Sequence, residues 1–442
     1  MEFENVVLVV ADTLRAKNLP SYNSDKDTTE FLRDQKSVSN YYSNSPWTVP
    51  AHATLFTGQL PSEHGTTTKN TYFDSENKLV SKFRENGYYT IGITENGLVS
   101  PHLGFGSEFD VFGKSNWFMA GADSWNAIWK RDSQYKDRKD KYSDFLRLLA
   151  KNRDLKSIEA AFKYLYSQGE DYNPTKSKNT INNGLKALNE EKDTFLFLNL
   201  MPVHAPYTFT KRQKDRYLSD LNDKEIEQIT GFERLIDYLE AGVDIEKLFE
   251  KREKAYDASI SYFDTLIQIL FEKAPQDTLF VVIGDHGELI GEYELGGTRL
   301  VNHHFGTFKE LIEVPLYIFS KGQEVDIDAA GIYDHRSLHE FLLNVAENQT
   351  LDLPEKELVR SEYFGKIGFN KQFDSNMPEE YKELFERKSF SLVNSRYKYD
   401  ITSDGNYLWS SGALSEKEML EGVEVPEKLL NKADVLYNWR LE

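Results

Sequence analysis

Asn5-Val6-Val7-Leu8-Val9-Val10-Ala11, followed without a break by Asp12, is the stretch on which the reading of this 442-residue chain turns. The run is continuously apolar and β-branched instead of alternating, which is the pattern of a strand buried on both faces of a parallel sheet. Three further stretches read the same way: 88–94, 193–201 (DTFLFLNLM) and 279–284 (LFVVIG). Each is followed by polar residues, Asn96 after the first, His204 after the second, and Asp285 with His286 after the third. In open α/β sheets ligands bind beyond the carboxyl ends of the strands. If the four strands share one mostly parallel sheet, these residues meet at one edge. The fold class is therefore α/β.

Each of these residues carries more than one reading. Asp12 is well placed for a metal or a substrate, and equally placed to cap the following turn. Asp285 and His286 are more specific, because a carboxylate and an imidazole adjacent at a strand end, with the chain turning at Gly287, can both reach one divalent ion. Thr48 precedes a short helix over 51–56, with Pro50 in its first turn and Gly58 at its end. A hydroxyl there can cap the helix, or attack an anionic ester held by the orphan N–H groups of the helix start.

Composition narrows the classes. Hydrophobic residues at 39% and aromatics at 13% belong to a folded globular chain, long enough for one large domain with a smaller appendage. Fifty-three Lys and Arg against 72 Asp and Glu give a net charge of −19, which excludes a nucleic-acid or anionic-membrane surface as the main partner. An anionic substrate would then need locally concentrated positive charge, which a metal supplies. With no cysteine, disulfides and thiolate metal sites are excluded. Residues 1–5 hold no basic segment with an apolar run, and 6–11 is too short for a signal or a membrane span, so a cytoplasmic protein is expected.

Residues 44–65 carry a resemblance. Sulfatases have a CxPxR element followed by a short helix and a TG dipeptide, and Thr48, Pro50 and His52 stand where its Cys, Pro and Arg would, with Leu55, Phe56, Thr57, Gly58, Pro61, His64 and Gly65 continuing the match. Asp12, Thr13, Leu14, Arg15 and Ala16 resemble the family's opening. His204, Pro206 and Tyr207 resemble its PHxPY segment, Asp285 to Glu288 its DHGE element, and the stretch from Asn302 to Leu316 its GHGxxLYEELxRVPL element. The chain thus resembles the sulfatase-like branch of the alkaline phosphatase superfamily. Threonine is not a formylglycine precursor, and relatives with threonine there include phosphodiesterases and lipoteichoic acid synthases.

The resemblance implies an alkaline-phosphatase-like three-layer sandwich with a mostly parallel sheet, a catalytic domain over 1–330 and a smaller C-terminal α+β subdomain over 331–442. It implies a divalent ion (Mn, Zn, Ca or Mg), one or two per chain, held by Asp12, Thr48, Asp285 and His286. Thr48 would be the nucleophile toward a phosphate ester, a phosphodiester in particular, carried on a sugar or lipid head group. His52, His204 and His303 or His304 would hold the non-bridging oxygens or protonate the leaving group. A sulfate-ester hydrolase that uses threonine directly, and an inactive binding protein of the same fold, are the alternatives. Arg15 is expected to be structural and Asn96 to shape its loop, and Arg396 and Lys398 read equally as exposed strand charges and as substrate contacts. Residues 114–191 form a helical, aromatic-rich insertion with Trp117, Trp125 and Trp129, expected to cap the α/β body.

Overall fold

The computed structural model describes residues 3–114, 175–188, 192–231, 245–295, 298–365, 386–395, 397–402 and 406–410. The aromatic-rich part of the insertion and Arg396 lie outside the described residues. Asn5–Ala11 is strand β1, buried at every position. Its side chains alternate between two cores: Val7, Val9 and Ala11 enter one, Val6, Leu8 and Val10 the other. The absence of polar alternation in the sequence thus reflects burial on both sides. Each valine or leucine among them contributes roughly 1.5–3 kcal/mol by leaving water.

After β1 come β2 (Tyr41–Tyr42), α1 (Thr48–Thr57), α2 (Pro61–His64), α3 (Lys78–Glu85), β3 (Tyr89–Thr94) and β4 (Val111–Lys114). Next are α4 (Thr175–Leu188), β5 (Thr194–Leu200), α5 (Lys211–Tyr217), α6 (Asp223–Gly231), α7 (Ile245–Lys273) and β6 (Thr278–Gly284). The ribbon β7 (Leu289–Leu295) and β8 (Thr298–Asn302), α8 (Lys309–Ile312), β9 (Leu316–Lys321), β10 (Tyr333–Asp334) and α9 (His335–Ala346) follow, and β11 (Val359–Tyr363), β12 (Ser389–Val393), β13 (Tyr397–Thr402) and β14 (Asn406–Ser410) close the described chain.

The main sheet has the order β4-β3-β5-β1-β6-β9, parallel throughout except for β9. Helices α4 and α7 pack into one core, and α1, α3 and α9 into the other, which makes three layers. Register fixes the site edge: Ala11 pairs with Leu200 and with Gly284, and Thr94 with Asn199, so the residues that follow these strands emerge side by side. The last four strands, β11 to β14, form a separate antiparallel sheet. Helix α9 lies beyond residue 330 yet packs on the main sheet, with Leu338, Phe341 and Leu342 buried there. Among the described residues no helix is long and apolar enough to cross a membrane.

Two local readings change. Helix α1 begins at Thr48, and its cap is Trp47, whose carbonyl accepts from Ala51 N at 3.3 Å, so Thr48 is the first helical residue and not the cap. Pro50 falls third in the helix, where its missing N–H is still one of the orphans. The helix ends as read, at Gly58 in the left-handed region (φ 71°), where a Cβ would also stand 2.5 Å from the His339 ring. Lys398 is no exposed strand charge: it is buried and paired with Asp400.

Candidate active site

Asp12 and Asp285 leave neighbouring strands at the same height, and both are buried, with 0% and 1% exposure. Asp12 Oδ2 accepts from Asn96 Nδ2 at 2.6 Å, and Asp285 Oδ1 accepts from Thr13 N at 3.1 Å and His286 N at 2.9 Å. The other oxygen of each, Asp12 Oδ1 and Asp285 Oδ2, is buried without a donor. His286 Nε2 faces them at 3.6 and 3.4 Å. Its Nδ1 sits 2.9 Å from Gly287 O, a carbonyl that can only accept, so Nδ1 carries the proton and Nε2 presents a lone pair. Burial also lowers the His286 pKa and favours that neutral form.

Three lone-pair atoms therefore converge in a buried site, with no cationic side chain among the described residues placed between them. Such an arrangement costs free energy unless a positive ion is shared. The three residues can each offer an atom to one ion, the atoms lying within 4.8 Å of one another. The donor set, two carboxylates and a neutral imidazole, fits a divalent cation. Thr48 Oγ1 stands 3.2 Å from the same His286 Nε2, close enough to be a fourth ligand. Burial and the Asp12 charge push Asp285 well above the usual carboxylate range. Asp12 moves the other way: burial alone would raise it, but His204 and the Asn96 hydrogen bond hold it low.

The DHGE turn is possible only with glycine at 287, because a Cβ there would lie 1.8 Å from Glu310 O. Beyond it, Glu288 is buried, raised by that burial, and meets His303 Nδ1 at 3.4 Å. The His303 ring is 4.5 Å from that of His286, 4.2 Å from His304 and 5.6 Å from His204. The structure thus brings His204, His303 and His304 together beside the carboxylates. Burial holds His303 and His304 well below the ordinary histidine range, so both are neutral at physiological pH.

His52 departs from its expected role. Its Nδ1 lies 2.9 Å from Thr48 O and 3.5 Å from Asp285 Oδ2, its Nε2 lies 3.4 Å from Asn199 Nδ2, and its ring is enclosed by Phe56, Phe105 and Phe197. Burial lowers it to about 4. With both nitrogens facing protein groups, it ties the start of helix α1 to β5. Asn96 also changes role: besides accepting from Leu98 N at 2.7 Å, it orients Asp12. Arg15 is structural as read, buried and paired with Glu292 at 2.5 Å.

Some supporting residues carried no signal in the sequence. His335 Nε2 donates to Asp285 O at 3.0 Å while Tyr41 OH meets its Nδ1 at 2.8 Å. Glu95, buried and raised by burial, accepts from Ser177, Thr180 and Met201 N and locks α4 to the strand ends. A carboxylate beside the strand-end Asn96 was the one visible clue.

The sulfatase family model matches residues 4–347. No curated protein matches the sequence. Among solved structures, a 2-O GAG sulfatase is similar at 14% identity and a TM-score of 0.60, covering 99% of this chain and 91% of its own. A phosphonate monoester hydrolase from Silicibacter pomeroyi is similar at 15% identity and 0.58, covering 98% and 94%. A protein solved with its substrate D-glucosamine-2-N,6-O-disulfate is similar at 11% identity and 0.58, covering 99% and 98%. The match extends over both cores and every strand whose end supplies a converging side chain, and on that basis the chain belongs to the sulfatase family of the alkaline phosphatase superfamily.

Proposed function

We propose that the chain is a metal-dependent hydrolase of phosphate esters, phosphodiesters in particular, with Thr48 as its nucleophile. The observation that carries this reading is the contact of Thr48 Oγ1 with His286 Nε2, in the cluster that holds the two donorless carboxylate oxygens. Asp12, Asp285, His286 and Thr48 would hold a divalent ion, which when bound acidifies the threonine hydroxyl and neutralises charge on the ester. Thr48 Oγ then attacks phosphorus in line as the hydroxyl proton leaves to water. The Oγ–P bond forms while the bond to the leaving alkoxide breaks, and His204 donates a proton to that oxygen or His303 or His304, neutral as they are, an N–H hydrogen bond. Water, or an acceptor alcohol in a transfer reaction, attacks the phosphothreonine in the second half and restores the hydroxyl.

Threonine in place of a formylglycine precursor favours phosphorus over sulfur. The similarity to a phosphonate monoester hydrolase is consistent with this, and the neighbour solved with a glucosamine disulfate supports a sugar as carrier of the ester. We also propose that the separate sheet β11 to β14 marks the smaller C-terminal subdomain, with the packing of α9 drawing the catalytic body on to Ala346. The test is a panel of nitrophenyl esters (phosphomonoester, phosphodiester, phosphonate and sulfate) run with Mn, Zn, Ca and Mg in turn. Fastest turnover of the diester supports the proposal, fastest turnover of the sulfate overturns it in favour of a direct-threonine sulfatase, and no turnover with any metal favours a binding protein.

A further inference from the structure

We propose that Tyr256, on helix α7, is a positioning residue that holds Thr13 in a strained backbone conformation and through it aims Asp285 at the metal. The proposal rests on the metal-site reading above.

Thr13 has φ 63°, in the left-handed region. The other non-glycine residues with positive φ among those described are Asn40, Asp277, Asn302 and Asn348, types whose short polar side chains tolerate it. A β-branched residue does not, and it stays there only if its surroundings over-determine it. They do. Its N–H donates to Asp285 Oδ1 at 3.1 Å, its hydroxyl donates to Val203 O at 3.0 Å, and its carbonyl accepts from Tyr256 OH at 2.6 Å.

The direction of the first bond gives Thr13 its function. Asp285 has two oxygens, and donors from Thr13 and His286 occupy Oδ1, which leaves Oδ2 turned into the cluster. Were Thr13 to relax to negative φ, its N–H would swing off Oδ1 and the carboxylate would lose the bond that sets its rotation. The Tyr256 hydroxyl opposes that relaxation by spanning the turn, donating to Thr13 O and accepting from Arg15 N at 3.0 Å. Burial keeps the hydroxyl protonated, so it remains a donor. The ring meets Tyr207 edge-on at 5.3 Å, which ties the same residue to the loop that carries His204.

The test is titration of the full-length protein with Mn(II), followed by the EPR signal of the free ion. Tyr256→Phe, which removes only the hydroxyl, is expected to weaken Mn(II) binding about tenfold or more, the loss common for groups that orient ligands. Glycine adopts positive φ without strain, so Thr13→Gly supplies that conformation without help from the tyrosine. Joined to Tyr256→Phe, it should restore binding to near the parent value. A merely structural tyrosine would show no such rescue. If Tyr256→Phe binds like the parent, or if the double variant is as weak as Tyr256→Phe, the proposal is overturned. If Tyr256→Phe does not fold, the double variant must recover both fold and binding, and failure to do so overturns it equally. A parent that binds no Mn(II) would instead overturn the metal-site reading itself.

Discussion

Thr48 and His286 stand 238 residues apart in the chain, yet Thr48 Oγ1 lies 3.2 Å from His286 Nε2 and both side chains are buried. The contact places a hydroxyl where an ion bound to His286 would also reach it. Loss of a nucleophile removes several powers of ten in rate, about 4 kcal/mol or more. Because Trp47 and not Thr48 caps helix α1, removing the hydroxyl should cost little stability. Thr48→Ala is expected to fold, to bind metal more weakly through the loss of one ligand, and to be nearly inactive. Thr48→Ser should keep part of the rate. Turnover by Thr48→Ala within a fewfold of the parent would sink the nucleophile assignment.

The donorless oxygens of Asp12 and Asp285 make a second expectation about stability. Without an ion their mutual repulsion is relieved only by protonating Asp285, so the chelated protein should melt lower than the loaded one. Added ion should raise stability by mass action, about 2.7 kcal/mol when its free concentration is 100 times Kd. Asp285→Asn should abolish that response. Its chelated form should be at least as stable as the chelated parent, because a neutral amide accepts the same Thr13 and His286 bonds without repelling Asp12. Melting curves with chelator and with Mn(II) decide this, and an unchanged metal response in Asp285→Asn would refute the site.

Asn96 gives a third. Its amide is the donor to Asp12 Oδ2 at 2.6 Å, so it fixes which way Oδ1 points. Asn96→Ala is expected to lower metal affinity about 10- to 100-fold, and Asn96→Asp to lower it further, because a second carboxylate would face Asp12. Direct metal titration measures both. Equal affinities in all three proteins would show that Asn96 only shapes its loop.

What the sequence revealed and what it hid divide on physical lines. β1 was legible because burial on both faces removes polar alternation, and the same holds for β5, whose bounds differ from the sequence reading by one residue at each end, and for β6, which differs by one residue at its start. Asp12, Asp285 and His286 were legible because strand ends in a parallel sheet share an edge. The start of α1 was misread because Pro50 marks a first turn but not its first residue, and Trp47 caps through its backbone alone. The supports were not legible. Tyr256 and His335 reach the site across sheet and helix layers, and nothing in their neighbours along the chain foretells a bond to Thr13 O or Asp285 O. Lys398 stays open in the sequence between an exposed charge and a substrate contact because strand alternation does not say which face a neighbouring layer covers.

Histidines away from the metal cluster make the fourth expectation, on acid stability. His64 accepts from Thr66 N at Nδ1 and lies 3.2 Å from Thr54 Oγ1, and His339 Nδ1 donates to Leu55 O at 2.9 Å. Burial lowers both to about 4, below the ordinary value of 6.5. Between pH 6.5 and 4 the unfolded chain takes up protons at these two positions that the folded chain does not, so stability falls as pH falls through that window and is fully present above it. The loss amounts to about 3 kcal/mol per histidine as an upper bound. Asparagine can reproduce the Nδ1 contact and does not titrate, so His64→Asn/His339→Asn should be less stable than the parent at pH 7 and yet lose less on acidification. Urea midpoints at pH 7, 6 and 5 measure the difference in slope. If parent and double variant fall in parallel across that range, the two histidines are not held neutral in the fold and the acid sensitivity arises elsewhere.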